Sequence, residues 1–135
     1  MYLIDTSVIS ELRKTRPHGS VLAWIGNIPA PELYLSAVSL GEIQAGIEIT
    51  RRQDPKRAAE IEGWADHVVT TWKILPMDVR CFRMFAKLMD RRPETLNNDA
   101  MIAATAIVHR FCVATRNVKD FRDFDVEIVN PYVAR

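Results

Sequence analysis

The stretch Tyr2-Leu3-Ile4-Asp5-Thr6 opens the chain with a short apolar run that ends in a carboxylate. Beyond it, apolar side chains recur at the spacing of one helix face, at positions 8, 9 and 12. The sequence therefore predicts a strand over residues 2–4 that passes directly into a helix over residues 6–13. A short strand followed at once by a helix is the repeating unit of parallel α/β sheets.

The same alternation of strand and helix patterns continues along the chain. Further strands are predicted over residues 33–35, 72–76, 111–115 and 126–129. Helices are predicted over residues 20–25, from 36 or 39 to about 52, and over 54–69, 79–89 and 99–108, with a turn or short helix over 118–124. Ser20 and Asp78 are the predicted N-caps of two of these helices. Such alternation indicates the α/β class, with a mostly parallel sheet of about five strands.

Length and composition narrow the class of protein. The 135 residues match one domain over 1–135, and a chain of this length buries roughly two-thirds of its unfolded surface. With 48% hydrophobic and 26% charged residues, the sequence is not that of a disordered chain. The formal charge of +1 excludes a globally basic nucleic-acid binder, so any such binding depends on local patches. The sequence has neither a signal-peptide pattern nor a membrane-spanning segment, so we expect no membrane association and a cytoplasmic location.

Three acids stand where a predicted strand gives way to a predicted helix. Asp5 follows the first strand, Glu42 lies in the helix after the second, and Asp99 begins the helix before the fourth. The carboxyl ends of parallel strands meet at one edge of a sheet, so these acids can converge around a hard cation. Each acid also has a purely structural explanation. Asp5 and Asp99 fit helix N-caps, and Ser39 with Glu42 fits a capping box.

Four segments in order resemble the motifs of PIN-domain ribonucleases, in particular VapC toxins and their FitB-like relatives. They are MYLIDTS at 1–7, LSAVSLGE at 35–42, NDAMIAATA at 98–106 and TRNVKDF at 115–121, and the resemblance extends to IVNPY at 128–132. It implies a PIN-like three-layer α/β/α domain and the toxin of a type II toxin–antitoxin module, which hydrolyses RNA with Mg²⁺ or Mn²⁺. It also implies inhibition by a cognate VapB- or FitA-like antitoxin, contact with operator DNA through that antitoxin, and a homodimer.

Carried over by motif, Asp5, Glu42 and Asp99 match the principal acids that hold the metal. The fourth position is open. Some relatives have an acid where this chain has Asn117, and the nearest carboxylate here is Asp120. Asn117 can bind through its carbonyl oxygen or orient a water, with Asp120 as an outer or second-metal ligand. A cap for a turn from Phe121 to Phe124 explains Asp120 equally well.

Four further residues flank these acids. Thr6 and Thr115 are candidates for hydrogen bonds that orient the carboxylates, although ordinary capping also explains them. Arg116 and Lys119 are candidates for contacts with RNA phosphates, with solvent-facing charge as the simpler explanation. Glu11 in the first helix can approach the site, but the default expectation is a surface acid.

Two other functions stay open from the sequence. An aspartyl-phosphate site, as in a phosphatase or a receiver domain, would use Asp5 as its nucleophile. A haloacid-dehalogenase-like phosphatase would place a second acid two residues later, where this chain has Ser7. A non-catalytic module would bind an antitoxin and assist repression at an operator. The helices over residues 39–69 are candidates for both antitoxin and dimer contacts.

Overall fold

The computed structural model describes residues 1–133, and the strands in this part of the chain form one parallel sheet. The strands are β1 (Tyr2–Ile4), β2 (Leu33–Ser36), β3 (Lys73–Leu75), β4 (Cys112–Ala114) and β5 (Ile128–Val129). Their order across the sheet is β3-β2-β1-β4-β5, and each neighbouring pair is parallel. The predicted class, strand number and strand direction are confirmed.

Helices connect the strands. They are α1 (Thr6–Glu11), α2 (Gly19–Gly26), α3 (Ala37–Arg51), α4 (Pro55–Thr71), α5 (Val79–Met89), α6 (Asn97–His109) and α7 (Val118–Phe121). Short 3₁₀ turns over Ala30–Glu32 and Glu94–Leu96 precede β2 and α6. Within residues 1–133, no helix is both long and apolar enough to cross a membrane.

Side chains alternate between the two faces of the sheet, and each face has its own hydrophobic core. Ile4, Leu35 and Ala114 point to the face that α1, α2, α3 and α4 cover. Leu3 and Val113 point to the opposite face, which α5, α6 and α7 cover. The alternation follows from the period of two along a strand. Burial on both faces gives the three-layer α/β/α arrangement that the motifs imply.

The helix α2 has a different N-cap from the one predicted, and α3 begins at the first of its two predicted starts. The imidazole Nδ1 of His18 accepts from the backbone N–H of Ser20 at 3.2 Å, so His18 and not Ser20 caps α2. Ser36 caps α3 through a 3.1 Å bond from the backbone N–H of Val38. The prediction for α5 is confirmed, since Asp78 accepts from the backbone N–H of Cys81 at 3.0 Å.

The order in which the strands are added to the sheet switches sides at β1, with β2 and β3 on one side of it and β4 and β5 on the other. The chain moves from β1 to β2 on one side and returns to β4 on the other. The backbone N–H of Asp5 donates to the carbonyl oxygen of Ala114 at 2.9 Å, which fixes the residues after β1 beside those after β4. Such a switch point opens a crevice at the carboxyl ends of the strands, where ligands bind in open α/β sheets. The sheet therefore brings residue 5 beside residues 115–117.

Candidate active site

Asp5 is the most buried acid of the site, with 3% of its surface exposed at the end of β1. Its Oδ2 accepts hydrogen bonds from Thr115 Oγ1 at 2.7 Å and from Ser7 Oγ at 3.0 Å. Burial raises the pKa of Asp5 above its ordinary value, and these hydroxyl bonds oppose the rise. The carboxylate is thus held in one orientation by neutral donors.

Glu42 lies within α3, one and a half turns from its start, and is half-buried. Thr6 Oγ1 is 2.8 Å from Glu42 Oε1 and 2.8 Å from Ser39 Oγ. A hydroxyl has one proton, so Thr6 can donate to the carboxylate while accepting from Ser39. Burial raises the pKa of Glu42, the Thr6 bond opposes this rise, and the charge of Asp5 adds to it.

Asp99 is the third residue of α6 and is half-buried. Its pKa is raised to about 6, first by burial and then by the negative charges of Asp5, Asp120 and Glu42. Each of these charges acts at Asp99 only because the side chains lie near one another. Glu42 also lines one cavity together with Asn98, the neighbour of Asp99, so the structure places the three acids that the sequence selected in one region, and Asp120 is near Asp99.

Helix capping does not account for two of these three acids. Glu42 is not part of a capping box, because Ser36 rather than Ser39 is the N-cap of α3. Asp99 is not an N-cap either, since α6 already begins at Asn97. Asp5 occupies the N-cap position of α1 but makes no side-chain capping bond there. The capping explanation is therefore wrong for Glu42 and Asp99, whereas Asp5 is the N-cap residue of α1 as predicted.

The two candidates for the fourth position are placed differently. Asn117 is exposed at the N-cap position of α7 without a side-chain capping bond, and its backbone N–H donates to Thr115 Oγ1 at 2.9 Å. Asp120 is the third residue of α7, so it does not cap a turn beginning at Phe121. The negative charge of Asp120 contributes to the raised pKa of Asp99, whereas the amide of Asn117 is neutral.

The flanking residues also lie around the acids. Thr6 and Thr115 make the carboxylate hydrogen bonds expected of them, to Glu42 and Asp5 respectively. Arg116 and Lys119 are both exposed, beside the crevice and on α7. Their contact with RNA stays a prediction.

Three polar residues near the site were not selected from the sequence. Ser7 binds Asp5 directly, and its place two residues after the acid is the signal that could have revealed it. Glu11 is 5% exposed, so its expected role as a surface acid is wrong. Tyr132 contacts both Ser7 and Glu11 across 125 and 121 residues of sequence, a separation at which no local pattern predicts contact.

The donor chemistry of the site fits a hard divalent cation. Carboxylate oxygens are the ligands that Mg²⁺ prefers, and Asp5, Glu42, Asp99 and Asp120 supply only oxygen. Their mutual repulsion is relieved by positive charge. Among residues 1–133, however, no group of three or more His, Cys, Asp or Glu side chains stands ready to hold a metal ion.

Comparison with known proteins agrees with this architecture. The family model described as PIN domain matches residues 2–127, and the chain belongs to the PIN-domain family. It is 34% identical to VapC ribonuclease Y4jK of Sinorhizobium fredii, over 98% of this chain and 98% of that protein. It is also 30% identical to toxin FitB of Neisseria gonorrhoeae, over 98% of this chain and 99% of that one. The resemblance to VapC and FitB-like toxins is thereby confirmed.

A solved structure extends the likeness to three dimensions. The structure of FitAB bound to an IR36 DNA fragment contains a chain that superposes with a TM-score of 0.86 and 29% identity. The superposition covers 100% of this chain and 98% of that chain. The three-layer fold is therefore shared along the whole length.

Proposed function

We propose that this chain is the toxin of a type II toxin–antitoxin module and hydrolyses phosphodiester bonds in RNA with the help of Mg²⁺ or Mn²⁺. The observation that carries the proposal is the convergence of Asp5, Glu42 and Asp99 at the switch point of the sheet. A cluster of carboxylates that raise one another's pKa destabilises the protein unless a cation offsets the charge. The relatives named as a VapC ribonuclease and a toxin support the choice of reaction and biological role.

Asp5, Glu42 and Asp99 would hold the ion, with Asp120 as the candidate for a further ligand. When bound, the cation supplies Lewis-acid activation of water and of the phosphodiester. Thr115 and Ser7 fix the direction of the Asp5 carboxylate. Such hydrogen bonds orient a metal ligand and preserve its charge.

The surface around Glu42 suits an extended polymer. An open cavity of about 510 Å³ lies on one side, between α3 and α6, and is lined in part by Val38 and Met101. A second cavity of about 250 Å³ lies on the other side, between α1, α3 and α4. Glu42 borders both cavities. A single RNA strand can therefore approach the acids from two directions.

The same surface is available to an inhibitor, and we propose that a cognate VapB- or FitA-like antitoxin binds it. Support comes from the related FitAB assembly, which was solved on DNA. By analogy, operator DNA would be contacted through the antitoxin. A homodimer and a cytoplasmic location stay predictions from the sequence.

The test is cleavage of defined RNAs by the purified chain with Mg²⁺, Mn²⁺ or chelator. We expect metal-dependent cleavage that Asp5→Asn and Asp99→Asn each reduce by at least about a hundredfold, since each removes a charged ligand. Asp66→Asn is the matched control, because Asp66 is exposed on α4 and is not among the charges that shift the pKa of Asp5, Glu42 or Asp99. This variant should cleave like wild type. Cleavage that continues in chelator, or variants as active as wild type, would refute the metal site.

Three further measurements test inhibition by the antitoxin and the two alternative functions. Saturating cognate antitoxin should abolish cleavage, and unchanged activity would refute inhibition at this surface. Tight antitoxin and operator binding without cleavage of any RNA would identify a non-catalytic module. Covalent phosphate on Asp5 would identify the phosphatase instead.

A further inference from the structure

The segment after β5 packs against the start of α1. Tyr132 Oη lies 3.1 Å from the carbonyl oxygen of Ser7 and 3.1 Å from Oε1 of Glu11. The phenol has a single proton, so it donates to one acceptor at a time, and a carboxylate is the stronger acceptor. Tyr132 therefore joins the end of the described chain to the turn that follows Asp5.

Glu11 anchors this contact from inside α1. Its carboxylate accepts from Lys14 Nζ at 2.9 Å and from the backbone N–H of His18 at 3.0 Å, in addition to the Tyr132 contact. The Lys14 bond is the main reason that the pKa of Glu11 lies below its ordinary value. A buried carboxylate with several donors is held firmly in place. The tyrosine is thus braced against a rigid group.

The ring of Tyr132 lies beneath a cation. The Cζ atom of Arg116 is 4.8 Å from the centre of the Tyr132 ring, which is cation–π distance. The backbone N–H of Arg116 donates to Ser7 Oγ at 3.4 Å, and Ser7 Oγ donates to Asp5. Within residues 1–133, the ion pairs of the structure do not include Arg116. Its charge therefore stays available for a ligand at the edge of the acidic site.

We propose that Tyr132 is a positioning residue that holds the Arg116 guanidinium at the edge of the acidic site, where it binds a backbone phosphate of the RNA substrate. The inference rests on the proposed ribonuclease function. A free arginine side chain loses rotamer entropy on binding, and a stacked one has lost part of it already. Arginine also suits this role because its planar fork matches phosphate oxygens while its face rests on the ring.

RNA affinity and cleavage test this arrangement with single and double variants. Arg116→Ala should raise KM about tenfold with little change in kcat, and should lower the salt slope of binding by about 0.7, as for one lost phosphate contact on a single strand. Tyr132→Leu should raise KM roughly two- to fivefold, the effect of one exposed cation–π contact. The double variant should behave like Arg116→Ala alone, because Tyr132 acts through Arg116.

Tyr132→Phe separates the ring from the hydroxyl group. It should keep the KM of wild type within about twofold while lowering the unfolding temperature, since the ring remains and the bonds to α1 are lost. Arg116 should show a ring-current shift of its Nε–H signal in wild type and Tyr132→Phe that disappears in Tyr132→Leu. Lys73→Ala is the matched control, because Lys73 lies 5.3 Å above the ring of Tyr34, and it should leave KM unchanged.

The same series is repeated as binding of labelled RNA in the Asp99→Asn background, where cleavage does not interfere. Additive effects of Arg116→Ala and Tyr132→Leu on affinity would overturn the inference, and so would equal losses in Tyr132→Phe and Tyr132→Leu. Absence of cleavage by wild type would refute the proposed function instead, and the binding series would still decide the role of Tyr132.

Discussion

Asp99→Asn should make the metal-free protein more stable at neutral pH while removing its activity. Asp99 has a pKa of about 6 in the folded protein, raised from 3.8 by burial and by Asp5, Asp120 and Glu42. A rise of this size destabilises the folded state by about 3 kcal/mol once the carboxyl is fully ionised. Asp99 is only half-buried, so solvent screening reduces the figure to about 1–2 kcal/mol.

One effect opposes this gain. Asp99 lies in the first turn of α6, where its negative charge interacts favourably with the helix dipole by about 0.5 kcal/mol. The neutral asparagine loses this interaction. The relief of repulsion is the larger effect, so the net stabilisation should be about 1 kcal/mol. For a chain of 135 residues this corresponds to an unfolding temperature about 3–5 °C higher.

The pH dependence has a definite sign. Because the folded pKa of Asp99 lies above the unfolded value, the penalty is fully present above about pH 6 and disappears as pH falls towards 3.8. Unfolding followed by circular dichroism in chelator should therefore separate Asp99→Asn from wild type at pH 7.5 and bring the two together near pH 4. Added Mn²⁺ should stabilise wild type more than the variant, because the ion needs the carboxylate.

Asp66→Asn provides the control for this measurement. Asp66 is exposed on α4, and its substitution should change stability by no more than about 0.5 kcal/mol at either pH. The reasoning is refuted if Asp99→Asn is no more stable than wild type at pH 7.5. It is also refuted if the gain persists undiminished near pH 4.

Substitutions at three further positions test single hydrogen bonds of the structure. Thr115→Val leaves buried Asp5 without its shortest donor, so urea titration should show a loss of about 1–3 kcal/mol, and Thr115→Ser should restore most of it. The pKa of Glu11 in the folded protein lies below its ordinary value of 4.5, so protonation of Glu11 should reduce the stability of wild type as pH falls below 4.5. In thermal scans, Glu11→Gln should not show this contribution to the loss of stability at low pH. Asp78→Ala removes the cap of α5, so urea titration should show a loss of about 1 kcal/mol, and a variant as stable as wild type would contradict the capping role.

Local patterns predicted the strands and most helices because each element carries its own periodicity. The run at residues 2–4 became β1 without change, and Asp78 capped α5 as its position indicated. The start of α6 was predicted two residues late, at Asp99. A 3₁₀ turn over Glu94–Leu96 leads directly into α6, so helical geometry is established before the acid is reached.

The convergence of the acids was predictable from topology, and their exact environment was not. Parallel strands place Asp5 and residues after β4 at one edge, whatever the side chains do there. The buried carboxylate of Glu11 contacts Tyr132, which lies 121 residues away and follows the last strand. Neither residue shows a pattern in its own neighbourhood that indicates this contact.

The donors around the acids explain why the site keeps its negative charge. Hydroxyl groups orient Asp5 and Glu42, and the ion pairs within residues 1–133 do not include Asp5, Glu42 or Asp99. A lysine or arginine in those places would lower the pKa values and stabilise the fold, but it would also occupy the position of a cation. Arg116, the cation next to Thr115, lies instead over the ring of Tyr132. Neutral donors therefore orient the carboxylates without removing their ability to ionise. Because Arg116 lies to one side, the acids stay available to a divalent ion.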